Sequence, residues 1–239
     1  MTFKSLSIVI PCYNEEKRIL KTLCETLKYC RYNLTYYEII IVDNNCTDNT
    51  INLIKNLKKI YKKNNIIIVK EFIRGKGSAI KTGILKAKHK KVMFMDADLA
   101  TPLKHINDFL NVMYHEDVDG VIASRNMDQS SVTRKQGSIR QLLGKSFPFC
   151  VKLITDLRYS DTQCGFKMFN REKIIPVVKR MKEPGFAFDV ELLYLAEQEN
   201  VCIVERPVEW HDEVGSTVKF WDPLKMLLTL FRVRRNHKR

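Results

Sequence analysis

The chain has 239 residues, 45% of them hydrophobic and 10% aromatic, which excludes a disordered chain and allows one domain a real core. Lys and Arg number 41 against 27 Asp and Glu, and the net charge of +14 calls for an anionic partner: nucleic acid, nucleotide or acidic lipid. The seven cysteines are odd in number, irregular in spacing and without a C-x-x-C pair, so a reducing compartment is expected and zinc is not.

The first apolar run, Leu6 to Ile10, is too short for a secretory or anchoring segment and meets Pro11 at once. No later run reaches the roughly 18 apolar residues of a membrane span. Further β-branched runs at Tyr37 to Val42, Ile66 to Val69, Val92 to Met95 and Val121 to Ala123 read as buried strands. Between them, Arg18 to Leu27, Asp48 to Tyr61, Ser78 to Ala87 and Pro102 to Tyr114 carry apolar residues three and four apart, as crossover helices do. Thr47 or Asp48 suits a helix cap, and Thr101-Pro102 suits a helix start. The alternation predicts an α/β fold: a Rossmann-like, mostly parallel central sheet flanked by helices.

After Arg125 the pattern loosens. Asn126 to Lys135 is polar and reads as a mobile loop, and Ser138 to Leu157 as an apolar helix with basic residues interspersed. Strands at Phe166 to Phe169 and Cys202 to Pro207 flank a helix from Phe188 to Gln198. No repeat or linker divides the chain, so residues 1–221 are expected to form one domain, followed by a basic amphipathic helix over 222–239.

The chemistry gathers at strand ends. Asp96-Ala97-Asp98 follows the fourth strand, where ligands bind in open α/β sheets, and two adjacent carboxylates call for a cation; hard oxygen ligands suit Mg²⁺ or Mn²⁺ completed by a diphosphate. A solvated acidic turn is the plain alternative. Pro11-Cys12-Tyr13-Asn14-Glu15-Glu16 ends the first strand, Asp43-Asn44-Asn45-Cys46-Thr47-Asp48 the second, and Arg74-Gly75-Lys76-Gly77 follows the third. Asp43 can accept from a base or ribose hydroxyl, and Lys76 between two glycines can approach a phosphate. Each alone suits an ordinary turn, but four at corresponding strand ends do not arise readily by accident.

The ordered set IVIPCYNEE, IVDNNCTD, RGKGSA, FMDADLATP and DTQCGFK resembles family 2 glycosyltransferases of the GT-A fold, in the branch that loads sugars onto polyprenyl phosphates, and is most similar to dolichyl-phosphate β-glucosyltransferases. The resemblance runs from Leu6 to about Trp221. It implies that Pro11, Tyr13, Asn14, Glu15 and Asp43 hold the nucleoside, that Lys76 lies near it, and that Asp96 and Asp98 engage diphosphate and metal. Arg125, Arg140, Gln163 and Lys167 would meet the acceptor phosphate. Asp189 matches the base of inverting relatives with hydroxyl acceptors, but is expected here to orient groups rather than to remove a proton. Asp98, Asp189 and Arg125 are thus the expected catalytic set. Asn44 stands where many relatives carry an acid, and Leu99-Ala100 lacks the glutamine usual in mannose synthases, which favours the glucosyl branch.

The implied reaction moves a hexose with inversion from a nucleotide sugar, UDP-glucose ahead of GDP-mannose, to polyprenyl or dolichyl phosphate. The alternatives are a mannose synthase or a family 2 transferase with a glycan or protein hydroxyl acceptor. A nucleotidyltransferase is disfavoured because PCYNEE contains no glycine, and a nucleic-acid partner because no recognition motif accompanies the charge. His211, after Trp210, reads as packed rather than metal-ligating. From Lys219 onward seven basic residues face one acid, and Leu224, Met226, Leu227, Leu228, Leu230 and Phe231 form a wide apolar face. Such a helix suits peripheral contact with an anionic membrane at its cytosolic face, with a membrane-spanning partner as an anchor.

Overall fold

The computed structural model describes residues 4–60, 65–133, 151–211 and 222–237. Its strands are β1 (Ser5–Cys12), β2 (Tyr36–Asp43), β3 (Ile66–Lys70), β4 (Lys91–Met95), β5 (Gly120–Ser124), β6 (Ser131–Thr133), β7 (Phe166–Asn170), β8 (Ile203–Pro207) and β9 (Glu209–His211). The helices are α1 (Ile19–Asn33), α2 (Thr50–Ile60), α3 (Lys76–Lys86), α4 (His105–His115), α5, described over 151–155, α6 (Arg171–Arg180), α7 (Phe188–Gln198) and α8 (Asp222–His237).

Seven strands form one sheet in the order β3-β2-β1-β4-β7-β5-β8, parallel except for β7, which runs against both β4 and β5. Strands alternate between two cores, because successive side chains point to opposite faces. Leu6, Ile8 and Ile10 of β1, with Ile39 and Ile41 of β2, meet Leu23 of α1, Ile54 of α2 and Phe109 of α4. On the other face Val9, Ile40, Val42 and Phe94 meet Ile80 and Ile84 of α3, Val177 of α6 and Leu193 of α7. The strand order reverses at β1, whose neighbours are β2 and β4, and the crevice at its carboxyl end is where such sheets bind ligands. At the opposite end the buried Glu38 accepts from Ser7 Oγ at 2.6 Å and Lys88 N at 2.7 Å, fixing β1 and β2 against the turn before β4.

Four segments differ from the sequence expectation. Helix α1 runs on to Asn33 because Leu27 and Cys30 continue its buried stripe. Helix α4 starts at His105, not Pro102; single turns closed by His105 N to Pro102 O and Ile106 N to Leu103 O lead into it. Helix α6 was not legible, since Pro176 sits in its interior at a cost of about 3 kcal/mol. Burial of Ile174, Val177 and Val178, with Asn170 accepting from Glu172 N as a cap, offsets that cost. Within the stretch read as a mobile loop, Ser131–Thr133 instead pairs with Glu209–His211, a partner distant in sequence that no local pattern announces.

Of the helix expected over 138–157, residues 138–150 lie outside the described residues. The helix present at 151–155 ends at Asp156, which adopts φ 61°. Helix α8 packs Leu230 and Val233 inward and leaves Leu228, Phe231, Arg232 and Arg235 exposed. Among the described residues no helix is long and apolar enough to cross a membrane.

Gly83 lets α3 lie directly on β1, for a Cβ there would be driven into the Val9 side chain. Alanine is the better helix former by about 1 kcal/mol, but overpacking typically costs ~1–3 kcal/mol. Gly83→Ala is therefore expected to lower the midpoint of urea unfolding; a raised midpoint would show that this contact yields to a methyl group.

Candidate active site

The carboxyl ends of β1, β2 and β4 and the start of α3 converge on one cleft. Asp96, Asp98, Leu99, Thr101, Gly165, Phe166 and Trp210 line it. Leu99 between the two turns of chain has φ 59°, a left-handed conformation that costs a side-chain-bearing residue about 1–2 kcal/mol. That conformation bends the backbone so that Asp98 Oδ1 receives Ala100 N at 3.0 Å. From α1, Thr22 Oγ1 donates to the carbonyl of Ala97 at 2.5 Å and fixes the peptide between the two aspartates. Gly165 must be glycine, since a Cβ there would occupy the space of the Asp96 carboxylate.

Charge balance in the cleft is tight. Lys76 Nζ lies 2.6 Å from Asp96 Oδ1. Burial works against the lysine charge, yet Asp96, Asp189 and Asp98 outweigh it and hold Lys76 above the usual lysine value. Burial and the neighbouring Asp96 push Asp98 up, against Ala100 N, Arg18 and Lys76. Arg18 pairs through both carboxylate oxygens with Glu15, and that bond, with the fields of Asp98 and Asp96, raises its pKa. Sequence reasoning missed Arg18, whose only signal was its place one turn after the PCYNEE segment.

On the nucleoside side, Pro11 pairs with Val42 and Cys12 with Asp43 in the β1–β2 register. Arg74 stacks on the Tyr13 ring with its guanidinium carbon 4.7 Å from the centroid and donates to the Tyr13 hydroxyl. Asn14, at φ 56°, accepts from Thr47 N at 2.8 Å and so ties the two strand-end loops together. Asp43 accepts from Cys46 N at 2.9 Å while remaining partly exposed.

Asn44 is neither exposed nor idle. Its side-chain nitrogen donates to Ile73 O at 2.8 Å and its oxygen accepts from Gly75 N at 2.7 Å, clamping the loop before α3. A carboxylate could not donate to that carbonyl, which accounts for an amide here.

The glycines flanking Lys76 serve a purpose other than the expected approach to phosphate. Gly77 N and Ser78 N donate to Pro184 O at 2.8 and 3.3 Å, so these amides are already capped. Side chains at Gly75 or Gly77 would collide with the backbone of Pro184 or Glu183.

On the remaining wall Arg125 grips Asp161 with Nε and Nη2 at 2.6 and 2.9 Å and lies over Trp210, 5.4 Å from the ring centroid. Burial acts against both charges, yet the pair prevails, with Asp161 depressed below the usual carboxylate range and Arg125 raised. Asp161 also receives Gln163 N at 3.1 Å, and Glu205 receives Ser160 N and Asp161 N at 2.8 and 3.0 Å. Asp161 and Trp210 had no role in the sequence reading, although the first lies inside DTQCGFK.

Lys167 is 0% exposed and donates to Asp189 Oδ1 and Cys164 O, both at 2.6 Å. It has no surface with which to meet an acceptor, so the expected direct phosphate contact is replaced by a charge beneath the cleft floor. Burial pushes Asp189 up against the pull of Lys167 and Lys76. Arg140 lies outside the described residues. His211 is exposed rather than packed, and its N–H donates to Ala100 O at 2.9 Å, so β9 abuts the Asp98 turn. Among the described residues no three His, Cys, Asp or Glu side chains converge as a metal cluster.

The family model described as glycosyl transferase family 2 matches residues 7–177. A dolichyl-phosphate β-glucosyltransferase of Dictyostelium discoideum is 33% identical over 240 residues, covering 96% of this chain and 73% of that protein. Proteins of the same name from Saccharomyces cerevisiae and Homo sapiens are 32% and 34% identical, covering 96% and 97% of this chain and 74% and 75% of theirs. Glucosyl-3-phosphoglycerate synthase from Mycobacterium tuberculosis, solved with Mn²⁺, UDP and glucosyl-3-phosphoglycerate, shares the fold with a TM-score of 0.67 at 16% identity, covering 98% of this chain and 80% of that one. The same enzyme with Mg²⁺ and UDP gives 0.65 at 14% identity, covering 98% and 79%. With its GT-A sheet, a family match over most of its length and relatives alike along nearly all of it, this chain belongs to glycosyltransferase family 2.

Proposed function

We propose that the protein transfers glucose from UDP-glucose to dolichyl phosphate with inversion at the anomeric carbon. The observation that carries this reading is a cleft lined by Asp96, Asp98 and Trp210, with Lys76 paired to Asp96 and the Asp161-bound guanidinium of Arg125 lying over Trp210. The names of the relatives supply the sugar and the acceptor. Pro11, Tyr13, Asn14, Glu15 and Asp43 frame the nucleoside, either by contact or, for Asn14, by holding the loop.

The Asp96–Asp98 pair fits a hard divalent cation, since the strain on Asp98 is one a cation relieves and Gly165 keeps room around Asp96. These two residues would hold Mg²⁺ or Mn²⁺, which supplies Lewis-acid stabilisation to the departing diphosphate. The bond from the anomeric carbon to the UDP oxygen breaks with its electron pair on UDP, while an acceptor phosphate oxygen bonds the opposite face through an oxocarbenium-like transition state. Lys76 and Arg18 place positive charge where UDP gains negative charge.

The acceptor needs no base, because a phosphate monoester with second pKa near 6 is mostly dianionic at pH 7. Arg125, oriented by Asp161 and Trp210, presents its outer edge to that phosphate, with Gln163 and Arg140 as its companions. Lys167 acts through Asp189, which it holds as a fixed charge in the floor.

The protein works in this reading as a peripheral enzyme at the cytosolic face of a membrane. Leu228 and Phe231 of α8, 62% and 57% exposed, enter the headgroup region while Arg232 and Arg235 meet anionic lipid.

The deciding assay is transfer of radiolabel from UDP-glucose, with GDP-mannose in parallel, to dolichyl phosphate in detergent with Mg²⁺ or Mn²⁺ and a chelator control. Labelled lipid from UDP-glucose alone, abolished by chelator, is expected; label from GDP-mannose would reassign the donor, and no lipid label despite metal-dependent UDP binding would reassign the acceptor.

Asp98→Asn should lose more than about a hundredfold in kcat, as removal of a transition-state charge contact does. An aspartate whose folded pKa is raised destabilises the fold once ionised, and that penalty fades as pH falls through the folded pKa. The same variant should therefore melt higher than wild type at pH 7 in chelator, and gain less from Mn²⁺ with UDP; wild-type turnover would remove Asp98 from the site.

Phe231→Asp should weaken binding to phosphatidylserine-containing vesicles by about tenfold or more, since burying a phenyl ring is worth roughly 1.5–3 kcal/mol. Unchanged sedimentation with vesicles would take α8 off the membrane.

A further inference from the structure

A buried histidine–carboxylate hydrogen bond at the end of α8 has no part in the reaction as described. Glu191, in the first turn of α7, is 1% exposed, and His237, in the last turn of α8, is 6% exposed. His237 Nε2 donates to Glu191 Oε1 at 2.7 Å. The same carboxylate receives Lys182 N at 3.0 Å and Glu183 N at 2.8 Å, so it organises the 182–185 segment between α6 and α7. Glu183 in turn accepts from Gly185 N at 2.9 Å. Pro184 O receives the N–H groups of Gly77 and Ser78, the first turn of α3, and Lys76 at its head reaches Asp96. A contiguous set of hydrogen bonds therefore runs from the end of α8 to the charged cleft.

The packing along this path leaves little slack. A Cβ at Gly77 would stand 2.6 Å from Phe188 Cβ, and Lys81 Nζ donates to Met181 O at 2.6 Å, so α3 is packed directly against the 181–188 segment. Gln198 Nε2 donates to His237 O at 2.8 Å and Arg234 Nη1 to Ile154 O at 2.8 Å, fixing the α8 end against α7 and α5.

A buried carboxylate gathering two backbone N–H groups is stabilised by them alone, and by the N-terminus of α7. The imidazole adds a fourth constraint that orients the carboxylate and makes the loop geometry depend on whether α8 is docked.

We propose that Glu191 and His237 are positioning residues for the donor site, through which the docked C-terminal helix sets the loop that carries Lys76. This deepens the reading of Lys76 as a donor diphosphate contact and rests on it for its kinetic consequence. Its structural consequence is independent of any substrate.

The test compares full-length wild type, His237→Ala, His237→Gln and Glu191→Gln. Hydrogen exchange is followed in peptides spanning 74–82, 181–191 and the β1–β2 core. Removing the imidazole is expected to speed exchange at Gly77 and Ser78 as well as at Lys182 and Glu183, with the core strands unchanged; glutamine at 237, which keeps a donor, restores protection. In kinetics, His237→Ala should raise the KM for UDP-glucose by about three- to tenfold while the KM for dolichyl phosphate stays within about twofold, as coupling networks of this kind allow.

Exchange altered only in α8 and at 182–191, with residues 74–82 as in wild type, would overturn the proposal. So would a lowered melting temperature with donor KM unchanged. If wild type shows no transfer from UDP-glucose, the functional reading fails while the exchange comparison still decides the coupling.

Discussion

Three carboxylates, Asp96, Asp98 and Asp189, lie close enough that Asp96 acts on the other two, and much of the molecule is arranged around that electrostatic cost. Burial foremost, and the field of Asp96 after it, push Asp98 and Asp189 above the usual carboxylate range. Lys76 answers Asp96, Lys167 answers Asp189, and Arg18 supplies a further cation within reach of Asp96 and Asp98. Each cation comes from a different element, α3, β7 and the start of α1, so the charge balance exists only when the sheet and both helical layers are assembled. Removing one member of a buried pair typically costs about 3–5 kcal/mol, so the cleft is also a point on which folding depends.

That dependence explains why so much of the surrounding backbone is pinned. Thr22 fixes the peptide between the aspartates, Asn44 clamps the loop before α3, and Pro184 caps the first amides of α3. None of these groups is charged. Their effect is to hold the backbone that carries the charged groups, so that Lys76 and Asp96 stay at contact distance. Glycine at 75, 77 and 165 belongs to the same logic, since in each case a Cβ would displace backbone or the Asp96 carboxylate.

The sheet and the four strand-end motifs were legible because they are local. β-Branched runs mark β1 to β5, and acids, glycines and asparagines mark where those strands stop. What escaped was whatever depends on distant partners. The β6–β9 pair joins segments that are individually short and polar, and α6 hides behind Pro176, whose penalty only tertiary burial offsets. Lys167 was expected at the acceptor phosphate in a chain of 41 basic residues, and its burial follows from lying beside Phe94 in the sheet and pairing with Asp189 of α7, which composition does not encode. Asp161 was visible as a letter in a motif but not as the partner of Arg125.

The state of Asp189 bears on how the acceptor is activated. A general base must take up a proton during the reaction, and protonating Asp189 would remove the charge that compensates the fully buried Lys167, 2.6 Å away. The resulting uncompensated ammonium would cost several kcal/mol, which no ordinary hydroxyl acceptor returns. A phosphate acceptor removes the requirement, because its nucleophilic oxygen is already deprotonated. The buried Lys167–Asp189 pair and a phosphate acceptor are thus mutually consistent: the first takes away a base, and the second does not need one. In the proposed reaction, which transfers no proton, the work left to the chain would be holding two anions, a diphosphate and a phosphate monoester, on opposite faces of one sugar. That demands cations kept apart on separate rigid elements, which is the arrangement of Lys76 on α3 and Arg125 after β5.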